Sequence, residues 1–138
     1  MYSKIIEEFE TIEDVRLWAC DEIKRVSDGF REEIAGRAHH LDSASWDRKE
    51  RDAAAIIAGG EAPEYLQTEA SEEGIEVLEL AQIIQGKAET YLNATGVISG
   101  VSGAAKAEIR SGDSEQVVAI LNGYRAMLRE KLGLAPLV

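Results

Sequence analysis

SEEGIEVLELAQIIQGKAETYLNATGVISGVSGAAKAEIRSG, residues 71–112, is the stretch on which the predicted fold depends, and it contains no proline. Ser71 is suited to an N-cap position, with Glu72 and Glu73 in a first turn where the helix dipole favours negative charge. Two adjoining helical stripes, mostly apolar, recur at spacings of three and four residues: Ile75, Leu78, Ala81, Gln85, Ala88 and Leu92, and beside them Val77, Leu80, Ile84, Ala88, Tyr91 and Thr95. An apolar arc this broad predicts a long helix that packs on two sides.

Small residues dominate the second half of this stretch. Gly96 and Gly100 share one face of a continuing helix, and Gly103 follows three residues later. Because glycine inside a helix costs about 1 kcal/mol relative to alanine, these glycines indicate a close neighbouring helix, either within the fold or across an oligomer interface. The alternative is that Gly96 ends one helix and Val97 begins another. Gly96, Gly100 and Gly103 are therefore candidate interface residues.

Three further helices are predicted from apolar spacing and capping residues, at residues 11–27, 46–58 and 113–132. The first has Thr11 as its N-cap and stops at Gly29. The last begins with a capping box in which Asp113 is the cap.

The segments between these helices are less regular. Residues 1–10 are an N-terminal arm or an early helical turn. Residues 61–70 are predicted to form an acidic connector that Tyr65 and Leu66 anchor to the core.

Residues 30–41 are compatible with two structures. Phe30, Ile34, Ala38 and Leu41 keep helical spacing, whereas Gly36 and the adjacent histidines suit a short pair of strands. We therefore predict a mainly α protein that forms a single domain, residues 1–138, as a compact bundle of four or five helices. A minor β-hairpin near residues 30–41 is the alternative to helix there.

The charge of the chain is unbalanced. It has 26 acidic and 15 basic residues, a net charge of −11, and no Lys or Arg between Asp52 and Gly86. Nucleic acids and anionic membranes are bound through Lys and Arg, so direct binding to either is disfavoured. The negative charge favours solubility, since it keeps protein molecules dispersed. A basic protein partner is the alternative, which makes Glu72, Glu76 and Glu79 candidate interface residues as well.

The sequence also bears on location. Cys20 is the single cysteine, within a helical apolar pattern, and is predicted to be a buried packing thiol. The N-terminal residues lack the apolar segment of a signal peptide, and no apolar run approaches the roughly 18 residues of a membrane span. We expect a cytoplasmic protein, or one that enters a particle assembled in the cytoplasm.

The chain has no residue pattern typical of catalysis. The tightest polar cluster, His39-His40-Leu41-Asp42, lacks the ligand spacing of a metal site. The glutamates from Glu72 to Glu79 are spaced as a solvated helix face, and the glycines lack the Lys of a phosphate-binding loop. We predict no catalytic, cofactor-binding or metal-binding residues.

Residues 15–112 resemble a domain of unknown function found in tail-fibre and tail-associated proteins of tailed bacteriophages. The resemblance rests on a first helix ending in Gly29-Phe30, on Ile34-Ala-Gly36 leading to Leu41-Asp42-Ser43, on Asp47-Arg48 opening the next helix, and on a long helix with Leu80-Ala81 and Ala88. It implies a short β-hairpin around residues 30–41 and implies no catalytic residues.

Two functions are compatible with these patterns. The first is a non-enzymatic structural or assembly protein, encoded by a phage or prophage, that contacts copies of itself or a virion partner in the host cytoplasm or the virion. The second is an acidic regulatory protein that covers a basic surface of a nucleic-acid-binding partner.

Overall fold

The computed structural model describes residues 2–39 and 43–134, which contain six helices: α1 (Tyr2–Ile6), α2 (Ile12–His39), α3 (Ser43–Ile57), α4 (Glu64–Glu73), α5 (Val77–Ser111) and α6 (Ser114–Lys131). Helices cover 85% of the described residues and no strand occurs among them, so the prediction of a mainly α protein is confirmed. The helix count exceeds the predicted four or five because α4 forms where a connector was expected, and because residues 2–6 take the helical alternative as α1.

The chain divides into two compact units. Unit 1 comprises Met1–Glu32 and Ala94–Val138, and unit 2 comprises Glu33–Asn93. The helices α2 and α5 each contribute residues to both units. The prediction of a single domain over residues 1–138 stays a prediction.

The core of unit 1 is formed by one buried seam on each of three helices. The seams are Val15, Ala19, Ile23, Val26 and Phe30 on α2, Ile98, Ser102, Ala105 and Ile109 on α5, and Val117, Leu121, Tyr124 and Leu128 on α6. Spacings of three and four residues keep each seam on one side of its helix, as in helical bundles. Arg16 of α2 donates two hydrogen bonds to the carbonyl oxygen of Gly112, which follows the end of α5, at 3.0 and 2.8 Å.

The N-terminal residues pack within unit 1 instead of extending as an arm. Trp18 of α2 contacts the rings of Tyr2 and Phe9, with centroids 5.9 and 5.6 Å apart. Ile6 at the end of α1 is buried. Aromatic packing therefore holds residues 2–9 against α2.

The helix α2 does not stop at Gly29, as was predicted, but continues to His39. Phe30 is only 3% exposed and Val26 is buried on the same side of the helix. Burial of a large apolar side chain stabilises by about 1.5–3 kcal/mol, which outweighs the cost of about 1 kcal/mol for a glycine in a helix. For residues 30–39 the helical alternative is therefore correct and the β-hairpin is wrong; residues 40 and 41 lie outside the described part of the chain.

The long helix starts later than predicted, at Val77 rather than after Ser71. Ser71 belongs to α4, which Gly74 terminates in the left-handed conformation at φ 72°. The amide of Ile75 donates a hydrogen bond back to the carbonyl of Ala70 at 3.0 Å, as in a Schellman C-cap. The predicted connector at residues 61–70 is thus largely helical, with Pro63 as the N-cap of α4.

The core of unit 2 is a cluster shared by α3, α4 and the first half of α5. Its buried members are Trp46, Ala53, Ile56, Leu66, Ala70, Leu80, Ala81, Ile84 and Ala88. Leu66 is completely buried and Tyr65 packs at the edge of the cluster, so the prediction that these two residues anchor the segment to the core is confirmed.

Candidate protein-contact site

The predicted interface glycines all lie on α5, and all three face open space. A Cβ atom built on Gly96, Gly100 or Gly103 would meet no atom of residues 2–39 and 43–134 within 4 Å. The expectation that a helix of the same fold packs closely on these glycines is therefore wrong. The expectation that Gly96 ends a helix is wrong too, because α5 runs without interruption to Ser111. A contact across an oligomer interface stays a prediction.

Gly100 lies in an apolar groove between α5 and α6 of unit 1, whereas Gly96 and Gly103 do not line it. The groove has a volume of about 520 Å³ and is lined by Gly100, Val101, Ala104, Ala105 and Glu108 of α5 and by Ala119, Ile120, Gly123, Tyr124, Met127 and Lys131 of α6. Gly123 faces open space in the same way as Gly100. Met127 is 39% exposed, a high value for a large apolar side chain.

Beside its buried seam, each of the two helices carries a second row in which apolar residues and glycine predominate. The row on α5 comprises Val97, Val101, Ala104 and Glu108, at spacings of four, three and four residues. The row on α6 has the same spacings and comprises Gln116, Ile120, Gly123 and Met127. These rows are exposed or half-buried in the chain, whereas the residues that follow Val97, Val101 and Ala104 directly are buried.

Sequence reasoning did not find this groove. Ile120, Gly123 and Met127 fall within the helix predicted at residues 113–132, but no open face was predicted for that helix. On both α5 and α6 the spacing of four, three and four residues occurs twice, once in the buried seam and once in the row beside it. This repetition was the signal that could have revealed the groove.

The candidate acidic residues do not lie on one helix face. Glu72 is near the end of α4, Glu76 precedes α5, and Glu79 is in the first turn of α5. All three are exposed. The break at Gly74 separates Glu72 from the other two, so the continuous acidic face expected from their spacing is wrong.

A polar network connects α3 and α4 within unit 2. The Tyr65 hydroxyl donates a hydrogen bond of 2.5 Å to Oδ2 of Asp52, and Arg48 lies 5.2 Å from the centre of the Tyr65 ring. Lys49 donates a hydrogen bond of 2.8 Å to Glu69. Burial and the hydrogen bond to Asp52 raise the pKa of Tyr65 to about 12, because both favour the neutral phenol.

The remaining residues singled out in the sequence are Cys20 and the polar cluster at residues 39–42. Cys20 is half-buried on α2, 3.9 Å from the carbonyl oxygen of Lys106, and is less buried than predicted. Within residues 2–39 and 43–134, no group of three or more His, Cys, Asp or Glu side chains is arranged to hold a metal ion. The cluster at residues 39–42 lies outside the described residues, apart from the backbone of His39, which ends α2.

Over the same residues, no helix combines the length and apolarity that crossing a membrane requires. No protein-family model, no curated protein sequence and no solved structure matches this chain.

Proposed function

We propose that this protein is a non-enzymatic structural or assembly protein, encoded by a phage or prophage, that works through contacts with other protein chains. The observation that carries this proposal is the apolar groove between α5 and α6. Val101, Ile120 and Met127 leave apolar surface in contact with water there, which a protein partner would remove from water.

The glycines of the groove support the same function. Gly100 and Gly123 lie inside helices, where each costs about 1 kcal/mol relative to alanine. Among the described residues, no atom lies close enough to either glycine to exclude a Cβ. A partner that approaches the backbone closely gives a physical reason for both glycines.

The resemblance of residues 15–112 to a domain of phage tail proteins supports the phage or prophage origin. We expect the chain to act in the host cytoplasm or in the virion, where it meets its partner during assembly. Gene neighbourhood is the first check: adjacent tail or baseplate genes are expected, and a neighbourhood without phage genes would count against this origin.

The direct experiment follows a tagged chain through induction of the phage and gradient purification of its particles. The chain is expected to sediment with particles or assembly intermediates. Ala104→Glu places a charge in the groove and should abolish this association. Ala107→Glu is the matched control, since Ala107 is also exposed on α5 but does not line the groove. Wild-type protein that stays at the top of the gradient contradicts the proposal.

A second function is favoured by a different observation, the exposed acids of unit 2. Glu72, Glu76 and Glu79 are exposed in a segment without Lys or Arg between Asp52 and Gly86. An acidic regulator that covers a basic surface would use such a segment.

Charge reversal tests this second function. Changing Glu72, Glu76 and Glu79 to Lys adds two charges per site and moves the net charge from −11 to −5. Binding to a basic protein should then be lost, while the same reversal at Glu8, Glu10 and Glu13, which are also exposed, should preserve most of it. Equal losses from both triple variants would mean that only net charge matters.

A further inference from the structure

We infer that the partner on the α5–α6 groove is a second copy of this chain, related by a two-fold axis, so that two helix pairs form a four-helix interface. This inference rests on the proposed function and names its partner.

The spacing of the exposed rows suits a helical partner. Val97, Val101 and Ala104 on α5, and Ile120, Gly123 and Met127 on α6, recur at spacings of four and three residues. An apolar repeat with this spacing keeps one stripe of a helix in contact with another helix over several turns. Each of the two helices thus has one such stripe buried in unit 1 and a second that is left for another chain.

The room at the groove suits close packing of helices. Gly100 and Gly123 present backbone rather than side chain, with no atom within 4 Å of an added Cβ. Ala104 and Ala119 add only methyl groups to the lining. Small residues of this kind let two helix backbones approach at the short end of the usual 8–10 Å interaxial range.

The charge of this part of the chain permits two copies to meet. Residues 94–134 carry five basic and four acidic side chains, Lys106, Arg110, Arg125, Arg129 and Lys131 against Glu108, Asp113, Glu115 and Glu130. Their net charge is +1, which leaves −12 on the rest of the chain. Residues 94–134 are therefore the part of the surface on which two molecules of charge −11 repel each other least.

The charges at the two ends of the groove favour an antiparallel two-fold arrangement, with the axis perpendicular to the helices. Glu108 lies at the end where α5 joins α6, beside Gln116, and Lys131 is the last residue of α6 at the opposite end. Fifteen residues of helix separate Gln116 from Lys131, about 22 Å at 1.5 Å per residue. A two-fold axis across the helices reverses the second copy, so that its Lys131 end lies over the Glu108 end of the first. A parallel arrangement would place like charges together at both ends.

Sedimentation equilibrium and light scattering on the full chain test this inference. Concentrations from about 1 µM to about 500 µM cover dissociation constants from the micromolar range to the upper end of weak self-association. The wild-type chain is expected to dimerise within this range. Ala104→Glu should give a monomer with an unchanged helical circular dichroism spectrum, and Ala107→Glu should dimerise like the wild type.

Charge exchange tests the two-fold arrangement separately. Each dimer contains two Glu108–Lys131 pairs, so Glu108→Lys and Lys131→Glu should each weaken dimerisation by about tenfold, as two exposed pairs of modest strength are lost. The double variant restores both pairs in reverse and should return the dissociation constant to within about threefold of the wild type. A double variant as weak as the two single variants overturns the antiparallel arrangement.

The outcomes separate this inference from the proposed function. A wild-type chain that stays monomeric up to the highest concentration overturns the inference, as does a dimer that Ala104→Glu leaves intact. If such a monomer still joins phage particles, and Ala104→Glu abolishes this, the proposed function stands with a different partner. A dimer that Ala104→Glu disrupts and the double charge variant retains supports the inference, even if the chain never joins a particle and the proposed function fails.

Discussion

At the scale of single residues, Tyr65 predicts a specific loss of stability in alkali. Its pKa is raised to about 12 from an ordinary value near 10, so the folded chain holds this proton more tightly than the unfolded chain does. The resulting stabilisation is fully present below about pH 10 and is lost as the pH rises towards 12. The urea midpoint of the wild type should fall across this window more steeply than that of Tyr65→Phe. Parallel curves for the two proteins would contradict the assignment.

The buried hydrogen bond between Ser27 and Tyr124 makes a second prediction at this scale. The two hydroxyl oxygens are 2.6 Å apart, and both residues are almost completely buried. Tyr124→Phe leaves the Ser27 hydroxyl without this partner and should cost about 1–3 kcal/mol in the free energy of unfolding.

The control for this prediction is the double variant Ser27→Ala with Tyr124→Phe. It removes both polar groups, so its cost should be smaller than the sum of the two single costs. Strictly additive costs, measured by urea denaturation, would mean that the two hydroxyls do not depend on each other.

At the scale of helices, the glycines of this chain are not equivalent, and two substitutions should have opposite effects. Gly96→Ala adds a methyl group to open space inside α5 and should stabilise the chain by about 0.5–1 kcal/mol. Gly60→Ala places a Cβ 2.9 Å from the carbonyl oxygen of Ala55 and should destabilise it, because backbone must shift. Thermal unfolding measures both. A loss of stability in Gly96→Ala would reveal a contact at this position.

The two rows of α6 predict different results for similar truncations. Leu121 is 5% exposed in the buried seam, so Leu121→Ala should cost about 2–5 kcal/mol in the free energy of unfolding. Met127 is 39% exposed in the groove, so Met127→Ala should cost less than about 1 kcal/mol at a concentration where the chain is monomeric. It should nevertheless weaken dimerisation. Equal stability losses for the two variants would place Met127 in the core.

At the scale of the whole molecule, the salt dependence of binding separates the two functions. Two copies of charge −11 repel each other, and added salt screens this repulsion, with a Debye length that falls from about 30 Å at 0.01 M to about 8 Å at 0.15 M. Exposed Glu108–Lys131 pairs contribute little by comparison. The dissociation constant of the dimer should therefore decrease as salt rises over this range.

An acidic regulator bound to a basic surface should show the opposite trend, since salt screens attraction in that complex. Sedimentation equilibrium at several salt concentrations shows whether salt strengthens or weakens self-association. A titration with the basic partner shows whether salt strengthens or weakens binding in the second function. Self-association that weakens steeply with salt would contradict the apolar groove as its main source.

The sequence by itself determined the parts of this protein that depend on short-range interactions. The α6 helix was predicted over nearly its observed length, residues 113–132 against Ser114–Lys131, because its Asp113 capping box is a local hydrogen-bonding feature. The helical class followed from apolar spacing, and Thr11 was identified as the N-cap whose side chain accepts a hydrogen bond from Asp14. These features require no knowledge of distant residues.

Only the tertiary structure decided which glycines end helices and which face of α5 stays open. Gly29 continues a helix because Phe30 beside it is buried, whereas Gly74 ends one in the left-handed conformation. Gly100 and Gly123 are far apart in sequence and line one groove because of how α5 packs on α6. A glycine changes helix stability by about 1 kcal/mol, and burial of a neighbouring side chain by more, so long-range packing decides between outcomes that local preference leaves nearly equal.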